Sequence, residues 1–191
     1  MVQLVVWSLL MYHTMPPIVN SKSAILPFAK RKKHALRKDE IMEFVFSDGG
    51  RHNYYKAENV GDCVTRAICN ATGRDYKEVY TTLKDLAKEE RITKRQPKRS
   101  SVRNGVNIKT VHKYIEEFLG WRWTPTMKVG QGCTTHLDPN ELPKGNLIIQ
   151  VSNHLTCVKN GVLYDTYNCT RGGTRCVYGY WYDPTEWEFY M

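Results

Sequence analysis

Long apolar runs are scarce in this 191-residue chain. The apolar start, Met1 to Tyr12, is too short to span a bilayer and lacks a basic leader, so no stable membrane insertion is expected. No internal repeat is visible. The six cysteines fall at irregular spacings: Cys63 and Cys69 in helical surroundings, Cys157 and Cys169 on or beside strands. No dense small-domain pattern demands a disulfide framework, so free thiols in a reducing, cytoplasmic setting are expected. The length suits one domain with a real core.

Net charge is unevenly spread. Residues 1–41 hold Pro16 and Pro17, a Ser/Lys stretch and the run Lys30 to Lys38, and carry 7 Lys/Arg against 2 Asp/Glu out of a net +9. More than half of the positive excess thus lies outside the remainder, which is weak support for a nucleic-acid partner. An apolar-then-basic stretch without periodicity reads as a disordered leader or non-native extension, with residues 42–191 as the single folded domain. A membrane-surface anchor and a nucleic-acid-binding arm are the functional alternatives for that leader.

One stretch organises the domain: Gly61-Asp62-Cys63-Val64-Thr65-Arg66-Ala67-Ile68. Val64, Ala67, Ile68 and Ala71 recur at helical spacing and Gly73 is placed to stop the helix. Cys63 then falls in the first turn, where free N–H groups and the helix dipole favour a thiolate. Downstream, Leu147 to Val151 reads as a buried strand, and His154–Lys159 and Val162–Tyr167 flank Asn160-Gly161, a strong hairpin signal. With a two-residue loop, His154, Thr156, Leu163, Asp165 and Tyr167 share one face, and His154 and Asp165 become diagonal neighbours. A carboxylate there fixes the imidazole tautomer, which completes a Cys-His-Asp arrangement. Taken singly, each residue has a plainer role: Cys63 as a small buried hydrophobe, His154 as a satisfied sheet histidine, Asp165 as a strand-end residue bonding backbone.

A cysteine opening a helix, a histidine on a strand and an Asp on the next strand resemble, in chain order, papain-like cysteine peptidases. The Cys63 segment is similar to the Asp-Gly-Asn-Cys-x-x-Arg-Ala run of ovarian-tumour-type deubiquitinases, and the His154–Asp165 segment to C39 and related bacterial peptidases. Residues 42–191, with the run Gly173 to Trp181, resemble small uncharacterised proteins of tailed bacteriophages. The resemblance implies a thiol hydrolase acting on a peptide, isopeptide or related amide, with a peptide or protein substrate, a host protein among the candidates, in the host cytoplasm if phage-encoded. Gly61-Asp62-Cys63 departs from Asp-Gly-Asn-Cys and no Gln precedes the cysteine at papain-like spacing. The backbone N–H of Cys63 and the Asn59 side chain are the oxyanion candidates.

The rest of the domain fits an α+β fold, helices first and a mostly antiparallel sheet after, in agreement with a papain-like arrangement. Met42–Phe46 alternates like a strand. Asp75 is placed to cap a second helix buried through Val79, Tyr80, Leu83, Leu86 and Ala87. Asn107 caps a third, with Ile108, Val111, Tyr114, Ile115, Phe118 and Leu119 inward and Gly120 as its stop. Trp121–Pro125, Cys176–Tyr182 and Trp187–Tyr190 read as strands, and Asp138–Leu142 as one helical turn. Between the helices, residues 91–103 form a basic loop. It reads as a solvated, mobile connection or as a binding element near the cleft through Arg95, Lys98 and Arg99. Aromatics do not interleave with its charges, against a single-strand stacking platform. Trp121 and Trp123 are further candidates for a cleft wall. Cys133-x-x-His136 and His154-x-x-Cys157 have zinc-like spacings, but residues 154 and 157 of one strand face opposite ways, so no metal or cofactor is expected. His136 is a second candidate base. A catalytically inactive protein of the same fold binding a host factor, and a nucleic-acid-associated protein using the basic loop, are the competing functional readings.

Overall fold

The computed structural model describes residues 42–56 and 60–187. The leader and Asn59 lie outside them. In chain order the elements are β1 (Glu43–Phe46), a 3₁₀ turn (Arg51–Asn53), α1 (Cys63–Thr72) and α2 (Tyr76–Lys88). Then come α3 (Ile108–His112) with a π-helical continuation (Lys113–Phe118), β2 (Arg122–Pro125), β3 (Asn146–Val151), β4 (His154–Lys159), β5 (Val162–Asp165), β6 (Val177–Tyr182) and α4 (Pro184–Trp187). The architecture is α+β, built on one six-stranded sheet of order β1-β5-β4-β3-β6-β2. The sheet is mixed: β1 runs parallel to β5, and the other pairings are antiparallel.

α1 lies across the middle of this sheet with every residue from Val64 to Ala71 buried. A helix enclosed all round must satisfy its polar side chains internally. Asn70 accordingly accepts from the Ser47 hydroxyl at 2.6 Å and donates to the Tyr164 carbonyl at 3.3 Å. On the helix side of the sheet, Ile68, Val79, Leu83, Val111 and Ile115 pack against Ile148, Cys157 and Trp181. On the other side Leu147, Ile149, Val158 and Leu163 are covered by Leu137, Leu142 and Cys169 from the loops.

The local punctuation follows the residue chemistry. Gly73 and Gly120 close their helices at φ 71° and 72°, a left-handed backbone that glycine adopts without a Cβ clash. Asn160-Gly161 forms the two-residue turn of the β4–β5 hairpin, with Lys159 opposite Val162 and Cys157 opposite Tyr164. Both loop residues have positive φ (49° and 86°), as a type I′ turn requires.

Several expectations are corrected. The third helix does not stay regular: from Lys113 it widens, and the Leu119 N–H reaches the Tyr114 carbonyl five residues back at 3.3 Å. That extra residue per turn changes the phase of its last turn, so Phe118 is exposed rather than inward. Ile108 at its start is also exposed. Asp138–Leu142 is a turn, not a helical one: Asp138 accepts from the Asn140 N–H at 2.8 Å and competes with helical bonding. Trp187 ends the short α4 instead of opening a strand, and the other residues of that expected strand lie outside the described ones. The thiols are not all free: Cys133 and Cys176 form a disulfide with Cα atoms 5.8 Å apart. The backbone bridge between His136 and Cys176 holds the two segments side by side, a contact that sequence spacing does not reveal.

The basic loop has its own anchor. Glu90 accepts from the Ser100 N–H (2.7 Å) and hydroxyl (2.5 Å), from Thr110 (2.6 Å) and from Gln96 (3.1 Å). These contacts fold residues 91–107 back against the start of α3. No helix among the described residues is long and apolar enough to cross a membrane.

Candidate active site

Two local motifs converge at one end of the sheet. Cys63 is the first residue of α1 and is half-buried. His154 opens β4 and Asp165 closes β5, so the tight hairpin turn fixes their relative position. His154 Nε2 lies 2.7 Å from Asp165 Oδ2, with both residues buried. That contact leaves Nδ1 as the ring nitrogen free to face Cys63, whose thiol interacts electrostatically with the imidazole. The Tyr167 ring packs beside the imidazole at 5.2 Å between centroids.

The electrostatics separate this cysteine from the others. Burial acts to raise the Cys63 thiol, but the hydrogen bond with His154, the Leu155 backbone and the charges of His154 and Arg66 outweigh it and hold it below its ordinary value. Cys69 and Cys157, buried without such a partner, are each pushed up to about 12. For His154, burial acts downward, and hydrogen bonds with Asp165, Cys169 and Cys63 overcome it, pushing the imidazole up to about 12. Burial acts upward on Asp165, but the bond from His154, its positive charge and the Thr166 N–H at 2.7 Å hold the carboxyl below the usual range. All three directions favour a thiolate–imidazolium pair braced by a carboxylate.

Asp62, the residue before Cys63, shapes the site from below. It is buried, and its carboxylate accepts from Arg66 Nε at 2.9 Å and from the Tyr76 hydroxyl at 2.5 Å. Arg51 Nε stands 2.9 Å away as a charge contact whose angle makes no hydrogen bond. Arg66 continues to Thr166 and to Asp165 Oδ1 at 3.5 Å, so it ties the start of α1 to the end of β5. With its carboxylate engaged there, Asp62 makes no side-chain cap to α1. At that end the Arg66 N–H donates to the Asp62 C=O at 3.2 Å. The N–H of Cys63 therefore remains available to a developing oxyanion.

Sequence reasoning did not assign Arg51, Asp62, Arg66 or Tyr76 to the site. The i,i+4 spacing of Asp62 and Arg66 was the signal within reach; Arg51 and Tyr76 arrive only through tertiary packing. The other candidates sit elsewhere. Trp121 is buried beside the C-terminal end of α1 and Gly73, opposite Cys63. Trp123 packs on Trp181 at 4.2 Å. Arg95 lines a groove with Glu89, Gln96 and Lys113, and Arg99 a cleft with Lys84 and Lys88. Lys98 is exposed on the same loop. His136 is engaged with Glu141 at 2.9 Å. The zinc-like pairs are separated, since Cys133 is in the disulfide and Cys157 points into the helix-side core. A different trio, His154, Asp165 and Cys169, gathers ligand-type atoms within 4.8 Å of one another. As arranged, these atoms hydrogen-bond among themselves.

Compared with protein-family models, curated proteins and solved structures, the chain finds no match. Its chemistry must be argued from this geometry.

Proposed function

We propose that this protein is a papain-like thiol hydrolase that cleaves a peptide, isopeptide or related amide bond. The observation that carries the reading is the buried His154–Asp165 pair, Nε2 2.7 Å from Oδ2, beside a Cys63 thiol that the imidazole helps to hold below its ordinary value. In the reaction, Cys63 Sγ as thiolate attacks the carbonyl carbon, and the Cys63 N–H donates to the oxyanion. The His154 imidazolium gives its Nδ1 proton to the departing amine, and the C–N bond breaks to leave a thioester on Cys63. Neutral His154 then takes a proton from water, the hydroxide attacks the thioester, and the carboxylic acid leaves as the thiolate re-forms. Asp165 holds the ring orientation and balances its charge throughout.

The test is the rate of iodoacetamide alkylation of each cysteine against pH, with adducts located by mass spectrometry, in wild type and His154→Ala. The expected result is that Cys63 reacts well below an ordinary thiol pKa of about 8.5 and that the advantage disappears in the variant. A Cys63 no faster than an ordinary thiol removes the hydrolase reading and leaves a binding protein on this fold.

A further inference from the structure

Residues next to the triad in the chain line a cleft whose charge is lopsided. Asp62 and Thr166, chain neighbours of Cys63 and Asp165, line it together with Tyr167, the residue packed beside His154, over a cavity of about 830 Å³. A smaller cavity of about 210 Å³ adjoins it, sharing Arg51, Tyr55 and Lys56. The smaller one adds Tyr76, Tyr80 and Arg103, so it has three cations and three tyrosine rings but no carboxylate in its described lining. Arg51 is only 9% exposed, and its Nε has no hydrogen-bond partner among the described residues. The one carboxylate beside it, Asp62, is shared with Arg66. Lys56 and Arg103 are exposed and have no ion-pair partner among the described residues. Arg103 is held there because its carbonyl and the Asn104 backbone press against Gly61, where an added Cβ would meet Arg103 O at 3.1 Å. The basic loop thus reaches the site through its last arginine, not through Arg95 or Arg99.

We propose that this smaller cavity is a substrate subsite for an acidic side chain, so that the amide bond cut at Cys63 belongs to a Glu- or Asp-bearing peptide segment. The assignment rests on the hydrolase reading above. A carboxylate entering there meets the Arg51, Lys56 and Arg103 charges, while its stem lies against the tyrosine walls. At roughly 30 Å³ per water, the volume holds one such side chain with some solvent.

Binding can be read without catalysis. Cys63→Ala protein is incubated with pools of N-acetylated, C-amidated hexapeptides that differ at one position by Glu, Gln or phosphoserine, and retained peptides are quantified by mass spectrometry. The expected result is about tenfold greater retention of Glu over Gln peptides at one position. That preference should weaken with added salt and be lost in Lys56→Gln/Arg103→Gln, two exposed substitutions. Equal retention of the Glu and Gln pools, including no retention of either, overturns the proposal. A preference that survives the double substitution also overturns it, as does retention of phosphoserine peptides alone. If the Glu preference holds but Cys63 alkylates as an ordinary thiol, the subsite stands as a binding site and only the hydrolase reading fails.

Discussion

Helices α1 and α2 both start behind an aspartate, and the two aspartates do opposite things. Asp75 turns its carboxylate onto the Lys77 and Glu78 N–H groups at 2.9 and 3.1 Å and so caps α2. Asp62 turns its carboxylate away, into Arg51, Arg66 and Tyr76, and the first turn it leaves uncapped is the one that begins with Cys63. A cap of this kind is ordinarily worth about 1 kcal/mol. At α1 that stabilisation is forgone, and the backbone donors of the first turn are left beside the Cys63 thiol. The difference teaches that one residue type at the same helix position either caps the helix or, drawn into a buried ion network, leaves its first turn open.

Breaking the comparison at the reactive helix has the largest effect. Cys63→Ala should lower kcat for any amide substrate by on the order of 10⁶ with an unchanged circular dichroism spectrum; retained turnover would remove Cys63 from the mechanism. His154→Ala should lower Cys63 alkylation at pH 6 by about 10², measured by adduct mass spectrometry, since the thiol then loses the partner that outweighs its burial. Next come the two aspartates themselves. Asp62→Ala leaves the buried Arg51 without its carboxylate and Arg66 with only the longer contact to Asp165, and should cost about 3–5 kcal/mol in urea unfolding. Asp75→Ala, at an exposed cap, should shift the urea midpoint far less and leave Cys63 reactivity untouched. Equal losses at the two positions would dissolve the contrast.

The smallest effect is in pH dependence. His154 is raised toward about 12, so its contribution to stability is complete below its unfolded pKa of about 6.5 and is lost as pH rises toward the folded value. Asp165 is depressed, so its contribution is present above about 3.9 and is lost as pH falls through its folded value. The pair therefore supports the fold most between roughly pH 4 and 6.5. In Asp165→Asn the unfolding free energy should fall below wild type by the widest margin in that window. The acid limb of Cys63 alkylation should also move to higher pH, because the imidazolium that stabilises the thiolate has lost its carboxylate. An acid limb that stays in place would show that Asp165 does not support the thiolate–imidazolium pair.

What was legible in the sequence was local. Asn160-Gly161 dictates a turn from its own backbone preferences, and that turn brings His154 to Asp165; Asp75, Asn107, Gly73 and Gly120 mark helix ends for equally local reasons. Long-range pairings were not legible. The parallel docking of β1 on β5 joins segments with three α-helices and three strands between them. The Cys133–Cys176 disulfide spans 43 residues, and no pattern in either segment names its partner. The Asp62 network was half visible: its i,i+4 partner Arg66 is in the motif, while Arg51 and Tyr76 come from other elements. Trp121 and Trp123 looked like cleft residues because aromatic content alone cannot tell a wall from a core.

The Asn160-Gly161 hairpin has a consequence for how this gene can change. Residues 154–165 act as a ruler, with the imidazole at one end and its carboxylate at the other. One codon inserted or deleted within β4 would shift His154 by a residue and turn its side chain to the opposite face of the sheet, leaving the strand paired but the imidazole out of reach of Asp165. Substitutions along the ruler can accumulate as long as its length is kept. Across any set of descendants that retain the reaction, the interval from His154 to Asp165 should vary less in length than in composition.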